Sequence, residues 1–222
     1  MSLLAALADL VLPRSCVGCA RPGQLLCSAC RPRIAPFDAG AAGVPVRAAA
    51  VYDGAVRTAL LAYKERGRRD LAGPLGGLLA RAIPAGGQLA LVPVPSTLAA
   101  ARARGGDHVL RLTRVASQVS GHTVVPALAL TRAVRDSAGL HTGERRLNLD
   151  AAMGAAVPRA GLAALVVEDI VTTGSTLREA RRALRAAGWT VHGAAVVAAT
   201  ARRDRSPRAR SGPARGGGLA WG

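Results

Sequence analysis

The chain has 222 residues, enough for one α/β domain with an appendage or for two small domains. Half of it is apolar but only 2% aromatic, which permits a core of Ala, Val and Leu, excludes wholesale disorder and disfavours nucleic-acid binding by stacking on exposed rings. The formal charge of +17, with Lys64 the only lysine, implies anionic partners or the solvated basic faces of an Arg-rich chain.

Residues 2–12 place Leu3, Leu4, Leu7, Leu10 and Val11 at helical spacing, closed by Pro13. No basic residue precedes Arg14, so a short packing helix is expected rather than an export signal. Neither this stretch nor any other holds 18 unbroken apolar residues, so no membrane insertion is expected. All four cysteines follow, as Cys16-Val-Gly-Cys19 and Cys27-Ser-Ala-Cys30, seven residues apart. Two such knuckles let four thiolates close on one structural Zn²⁺; two disulfides or a redox pair are the rival readings. The lack of an export signal argues for a reducing, cytoplasmic setting, which disfavours disulfides, and a redox pair should sit between a strand and a helix.

Residues 31–45, rich in Pro, Gly and Ala, read as a linker. From Val46 onward strands and helices alternate. Strands are expected at 46–53, 89–94, 123–130, 163–167 and 190–199. Helices are expected at 54–65, 70–83 (interrupted at Gly73-Pro74), 107–120 and 175–187. Alternation of this kind gives an α/β fold with a mostly parallel sheet and flanking helices. Residues 131–150 are polar, and the tail from Ala201 carries six arginines against Asp204 and reads as disordered, with some capacity for non-specific nucleic-acid affinity.

The chemistry concentrates in Leu165-Val-Val-Glu-Asp-Ile-Val-Thr-Thr-Gly-Ser-Thr-Leu177. A buried strand leads to two acids, Glu168 and Asp169, at the edge where open α/β sheets bind ligands. Thr172, Thr173, Gly174, Ser175 and Thr176 then form a hydroxyl-rich turn ahead of an amphipathic helix. Backbone N–H groups in such a turn, with the helix dipole behind them, make a phosphate cup. A phosphate cup beside acids able to bind vicinal hydroxyls implies a sugar phosphate. Other phosphate signatures fail, since no Gly-rich loop ends in a lysine and no GxGxxG follows a strand. The four histidines are scattered without metal spacing, and His108, His122 and His192 read as surface or loop residues, with His141 the best functional candidate. Lys64 reads as a solvated helix end or as a phosphate contact.

This segment resembles the 5-phosphoribosyl 1-pyrophosphate (PRPP) motif of type I phosphoribosyltransferases. Together with the four-cysteine module, Tyr63-Lys-Glu-Arg-Gly67, Val92-Pro-Val-Pro95 with Arg102, Arg104 and Gly105, and Thr131-Arg132 through Arg145-Arg-Leu-Asn148, it makes the chain similar to the ComF family over about residues 5–200. The pattern departs at Gly106, Asp107 and His108, where the family has Phe-Asn-Gln, and at Ser137, where it has Gln. The resemblance implies a zinc-binding module at 1–40 and a phosphoribosyltransferase-like domain at 46–200, with 201–222 as the basic tail. It implies that Glu168 and Asp169 hold the ribose hydroxyls, directly or through Mg²⁺ carried with PRPP, and that residues 172–176 cradle the 5′-phosphate. Arg102 and Arg104 would hold the departing pyrophosphate, and Arg132, Arg135 and Arg145 would belong to a hood over the reacting centre. It further implies a link to competence, with single-stranded DNA and DNA-uptake proteins as partners of an enzyme or of a non-catalytic accessory protein.

Overall fold

The computed structural model describes residues 14–33, 35–40, 43–131, 152–158 and 161–200. The helix expected at 2–12, the hood residues Arg132, Arg135 and Arg145, His141, Ser137 and the basic tail lie outside them.

The strands are β1 (Phe37–Asp38), β2 (Val46–Val51), β3 (Leu89–Pro93), β4 (Thr123–Val124), β5 (Leu128–Leu130), β6 (Met153–Ala155), β7 (Ala163–Val171) and β8 (Val191–Ala199). Six form one sheet in the order β1-β2-β8-β7-β3-β4, parallel throughout except for β1 at one edge. The central strands are runs of Val, Ala and Leu, as strands covered on both faces require. Helices α1 (Gly54–Glu65), α2 (Ala72–Ala82), α3 (Leu98–Ala103), α4 (His108–Ser120) and α5 (Ser175–Ala186) complete the fold, with a 3₁₀ turn at Arg69–Leu71. Leu60, Leu75, Leu79 and Leu112, from α1, α2 and α4, bury one face of the sheet. Leu177, Ala180 and Leu184 of α5 cover the other, together with Val125, Leu128 and Met153 around the separate β5–β6 hairpin.

Several expectations are corrected. Gly73 and Pro74 do not interrupt a helix, because α2 begins at Ala72 and places them in its first turn, where no intrahelical N–H bond is due. The strand expected at 123–130 is two strands in different sheets, separated at Pro126, whose ring cannot donate to a ladder. The strand expected at 163–167 runs on through both acids to Val171. The linker at 31–45 contributes β1 and the buried Val44. The cysteine module packs on this core: Leu26, 1% exposed, joins the α1/α2 cluster with Val17, Leu25 and Cys30 packed beside it.

Gly76 marks a close helix crossing. A Cβ there would lie 2.5 Å from Val115 Cβ, so α2 and α4 cross with a backbone in direct contact with a side chain.

Candidate functional site

The chain leaves β3 toward α4 on one face of the sheet and leaves β7 toward α5 on the other. β3 and β7 are neighbours, so their carboxyl ends open a crevice at a topological switch point, the place where open α/β sheets bind ligands.

One wall is the turn from β7 into α5. Gly174 is the residue before the helix and holds φ 73°, a left-handed conformation that favours glycine. Thr173 Oγ1 and Ser175 Oγ lie 3.0 Å apart, and the Ser175 amide donates to Thr173 Oγ1 at 3.4 Å. Ser175 is buried, Thr173 and Thr176 are half-buried, and Thr172 is exposed. The first turn of α5 carries no acidic residue, so nothing offsets the positive end of its dipole.

Glu168 and Asp169 precede this turn, and consecutive strand residues point to opposite faces. Leu165 and Val167 lie in the α1/α2/α4 core, and Asp169 continues that series. Its Oδ2 receives Lys64 Nζ at 2.9 Å and His108 Nε2 at 3.0 Å. Ala164 and Val166 lie in the α5 core, and Glu168 continues that series beside Thr176. The two acids are accordingly unlike. Burial and the neighbouring Asp169 charge push Glu168 up to about 8, against the opposing influence of Lys64 and Thr176. Burial works against ionisation of Asp169 as well, but Lys64 and His108 outweigh it and hold the carboxyl well below the usual range. The two carboxyls thus leave β7 on opposite faces, and one of them is already paired with a lysine.

The second wall is the segment after β3, which carries Asp107 and His108. Asp107 caps α4 by accepting from the Leu110 amide at 3.0 Å, and its other oxygen accepts from the Ser96 amide at 2.7 Å. His108 is buried between Asp169 and Ser96, with Ser96 Oγ 3.0 Å from Nδ1, and its carbonyl accepts from the Tyr63 hydroxyl at 2.9 Å. Gly105 and Gly106 hold φ 62° and 122°. The Arg69 guanidinium fills the space a Cβ on Gly105 would need, and Arg111 Nη2 donates to the Gly105 carbonyl at 3.0 Å. Arg104 caps α3 and donates through Nε to the Lys64 carbonyl at 3.0 Å, whereas Arg102 is exposed on α3.

The structure therefore brings Arg104 to the crevice edge with Lys64, and it corrects the reading of His108 and His122 as surface or loop residues. His122 is buried with a ring nitrogen 3.0 Å from the Pro84 carbonyl, while His192 is exposed. Sequence reasoning passed over His108, Ser96, Arg69 and Arg111. A signal for His108 was present: it follows a helix-capping Asp just beyond a buried strand. Helix α3 was also missed, although Thr97 carries its cap, accepting from the Ala100 amide at 3.2 Å.

Behind the crevice, α5 anchors the strand that follows residues 132–151. Glu179, 5% exposed, accepts from the Met153 amide at 2.9 Å, and Arg182 donates to the Met153 carbonyl at 2.8 Å.

The sulfur atoms of Cys16, Cys19, Cys27 and Cys30 all lie within 4.8 Å of one another, with Cys19 and Cys27 3.6 Å apart. A tetrahedral Zn²⁺ with bonds of about 2.3 Å needs sulfur–sulfur edges of roughly 3.8 Å, so the cluster could bind zinc. Backbone donors from Cys27, Gly18 and Cys19 overcome burial and pull Cys16 down to about 6. Its neighbours' sulfurs and burial push Cys30 up to about 12. Four thiols this crowded give up all their protons only around a cation. Gly18 is required here, because a Cβ would meet Ala55 Cβ at 2.6 Å and Cys30 Sγ at 2.9 Å.

A parallel α/β sheet with a hydroxyl-lined helix N-terminus and two acids at its switch point defines a protein built for a phosphorylated ligand. The family model for the phosphoribosyl transferase domain matches residues 102–213, and the chain belongs to that family. Membership carries a PRPP-binding, phosphoribosyltransferase-like function. No curated protein matches the chain. Among the described residues, no helix is long and apolar enough to cross a membrane.

Proposed function

We propose that the chain is a phosphoribosyltransferase of the ComF type, transferring phosphoribosyl from PRPP with release of pyrophosphate. The observation that carries this is the placement of Glu168 and Asp169 one turn ahead of the Gly174 nest, at the switch point, within the matched family domain. The amides and hydroxyls of 172–176 receive the 5′-phosphate. Asp169 accepts from one ribose hydroxyl. Glu168, protonated up to about pH 8, can donate to the other as well as accept from it. Arg104, with Arg102 beside it, draws off the negative charge that builds on the departing pyrophosphate. Mg²⁺ arriving on the diphosphate supplies further neutralisation of that charge. Arg132, Arg135 and Arg145, which the resemblance assigns to the hood, lie outside the described residues. The reaction breaks the bond from C1 to the pyrophosphate oxygen and forms one to an incoming nucleophile, so no side-chain nucleophile is needed. Zn²⁺ on the four cysteines serves structure, and a reducing, cytoplasmic setting suits cysteines that hold a metal rather than disulfides.

Calorimetric titration of Mg²⁺–PRPP into the protein and into Asp169→Asn tests this reading. Binding in the wild type that is lost in the variant is expected; no binding by the wild type would overturn it. A second reading, a non-catalytic accessory of DNA uptake, draws on the +17 charge. It predicts binding to single-stranded DNA that falls steeply with salt.

A further inference from the structure

Asp169 has two oxygens, and the described structure uses them unequally. Oδ2 takes both Lys64 Nζ at 2.9 Å and His108 Nε2 at 3.0 Å. No hydrogen bond from the described residues reaches Oδ1. Lys64 and His108 are themselves fixed. The Lys64 carbonyl is held by Arg104, while His108 is braced by Ser96 on its other ring nitrogen and by Tyr63 at its carbonyl. A chain of contacts thus runs from the segment after β3, through His108, to the β7 carboxylate, and meets a second one arriving from the end of α1.

We propose that Lys64 is the resident counter-cation of Asp169 and that, with His108, it turns Oδ1 toward the ligand, so that the sugar contacts this carboxylate directly with no metal between them. Lys64 and His108 are then positioning residues of the site. A buried carboxylate facing a ligand needs a compensating positive charge, which a metal or a side chain can provide. Here Lys64, 25% exposed at its side chain, fills that place before any ligand arrives. This inference rests on the PRPP reading above and specifies how its ribose end is recognised.

Ribose 5-phosphate is the discriminating probe, because it lacks the diphosphate that carries Mg²⁺. Calorimetry would compare Mg²⁺-free buffer with buffer containing Mg²⁺. Chelators are left out so that the cysteine cluster keeps its metal. The wild type should bind within about twofold in both buffers. Lys64→Met should bind at least tenfold more weakly without Mg²⁺ and recover when Mg²⁺ is added, because the freed carboxylate can then take a metal; a purely structural role for Lys64 would not give that rescue. His108→Ala should weaken binding about tenfold, and His108→Gln, which keeps an N–H within reach of Oδ2, should lose less. Wild-type binding of ribose 5-phosphate that requires Mg²⁺, or Lys64→Met binding like the wild type, would overturn this inference while leaving PRPP binding intact. Failure of the wild type to bind either ribose 5-phosphate or Mg²⁺–PRPP would overturn both readings together.

Discussion

Replacing Glu168 with Gln should stabilise the protein, by an amount that grows with pH. The carboxyl ordinarily titrates at 4.5 and is pushed up to about 8 in the fold by burial and by the adjacent Asp169 charge. Between those values the folded state keeps a proton that the unfolded chain has released. The unfolded state binds fewer protons throughout that window, so stability falls as pH rises and levels off above about 8. Each pH unit is worth about 1.4 kcal/mol, which gives a penalty on the order of 3 kcal/mol two units above the ordinary value. Glutamine has nothing to titrate and keeps nearly the same shape. Urea denaturation of wild type and variant at several pH values from about 5 to 9 measures the difference, and groups common to both proteins cancel in it. The gap should widen in favour of Glu168→Gln up to about pH 8 and then stay constant. Parallel stability curves across that range would refute the reasoning and mean that Glu168 is solvated and ionised like a surface carboxylate.

Two glycines one residue apart in α2 should respond oppositely to alanine. Gly76→Ala sets a Cβ against Val115 and the Leu112 carbonyl, and should cost about 1–3 kcal/mol by thermal denaturation despite the gain in helix propensity. Gly77 faces open space, so Gly77→Ala should add about 0.5–1 kcal/mol. Metal analysis of the purified protein should find one Zn²⁺ per chain, and Cys16→Ser should lose it. With the knuckles undone, the packing of Leu26 into the α1/α2 core loosens, and burial of one leucine is worth about 1.5–3 kcal/mol, readable as a lowered thermal midpoint.

The order of strands and helices was legible because each central strand is a short apolar run between turn residues, and α5 alternates buried Leu and Ala with outward Arg. The phosphate turn was legible for a similar reason: Gly174 and its hydroxyl neighbours act through their own backbone and side chains, so one contiguous segment carries the signal. The pairing of His108 and Lys64 with Asp169 was not legible. Each acquires its role from Asp169, which lies 61 residues from His108, and no local pattern encodes a partner at that distance. Pro74 was misread because the rule against proline in helices holds for interiors, and where a helix starts is a matter of a residue or two.

The segment 106–108 is where local and distant constraints meet. In sequence, Gly106, Asp107 and His108 stand out only as a departure from the ComF-like pattern that the rest of the chain resembles. In the fold, Gly106 takes a backbone angle that disfavours any side chain, Asp107 spends both oxygens fixing Ser96 and the start of α4, and His108 reaches across to β7. A histidine at the first position of α4 can bridge two sheet-edge segments only if its ring is held from behind, and Ser96 does this. Ser96 is in turn held by Asp107, the residue beside the histidine it braces. Ser96, Asp107 and His108 therefore form one connected arrangement that ends on the Asp169 carboxylate.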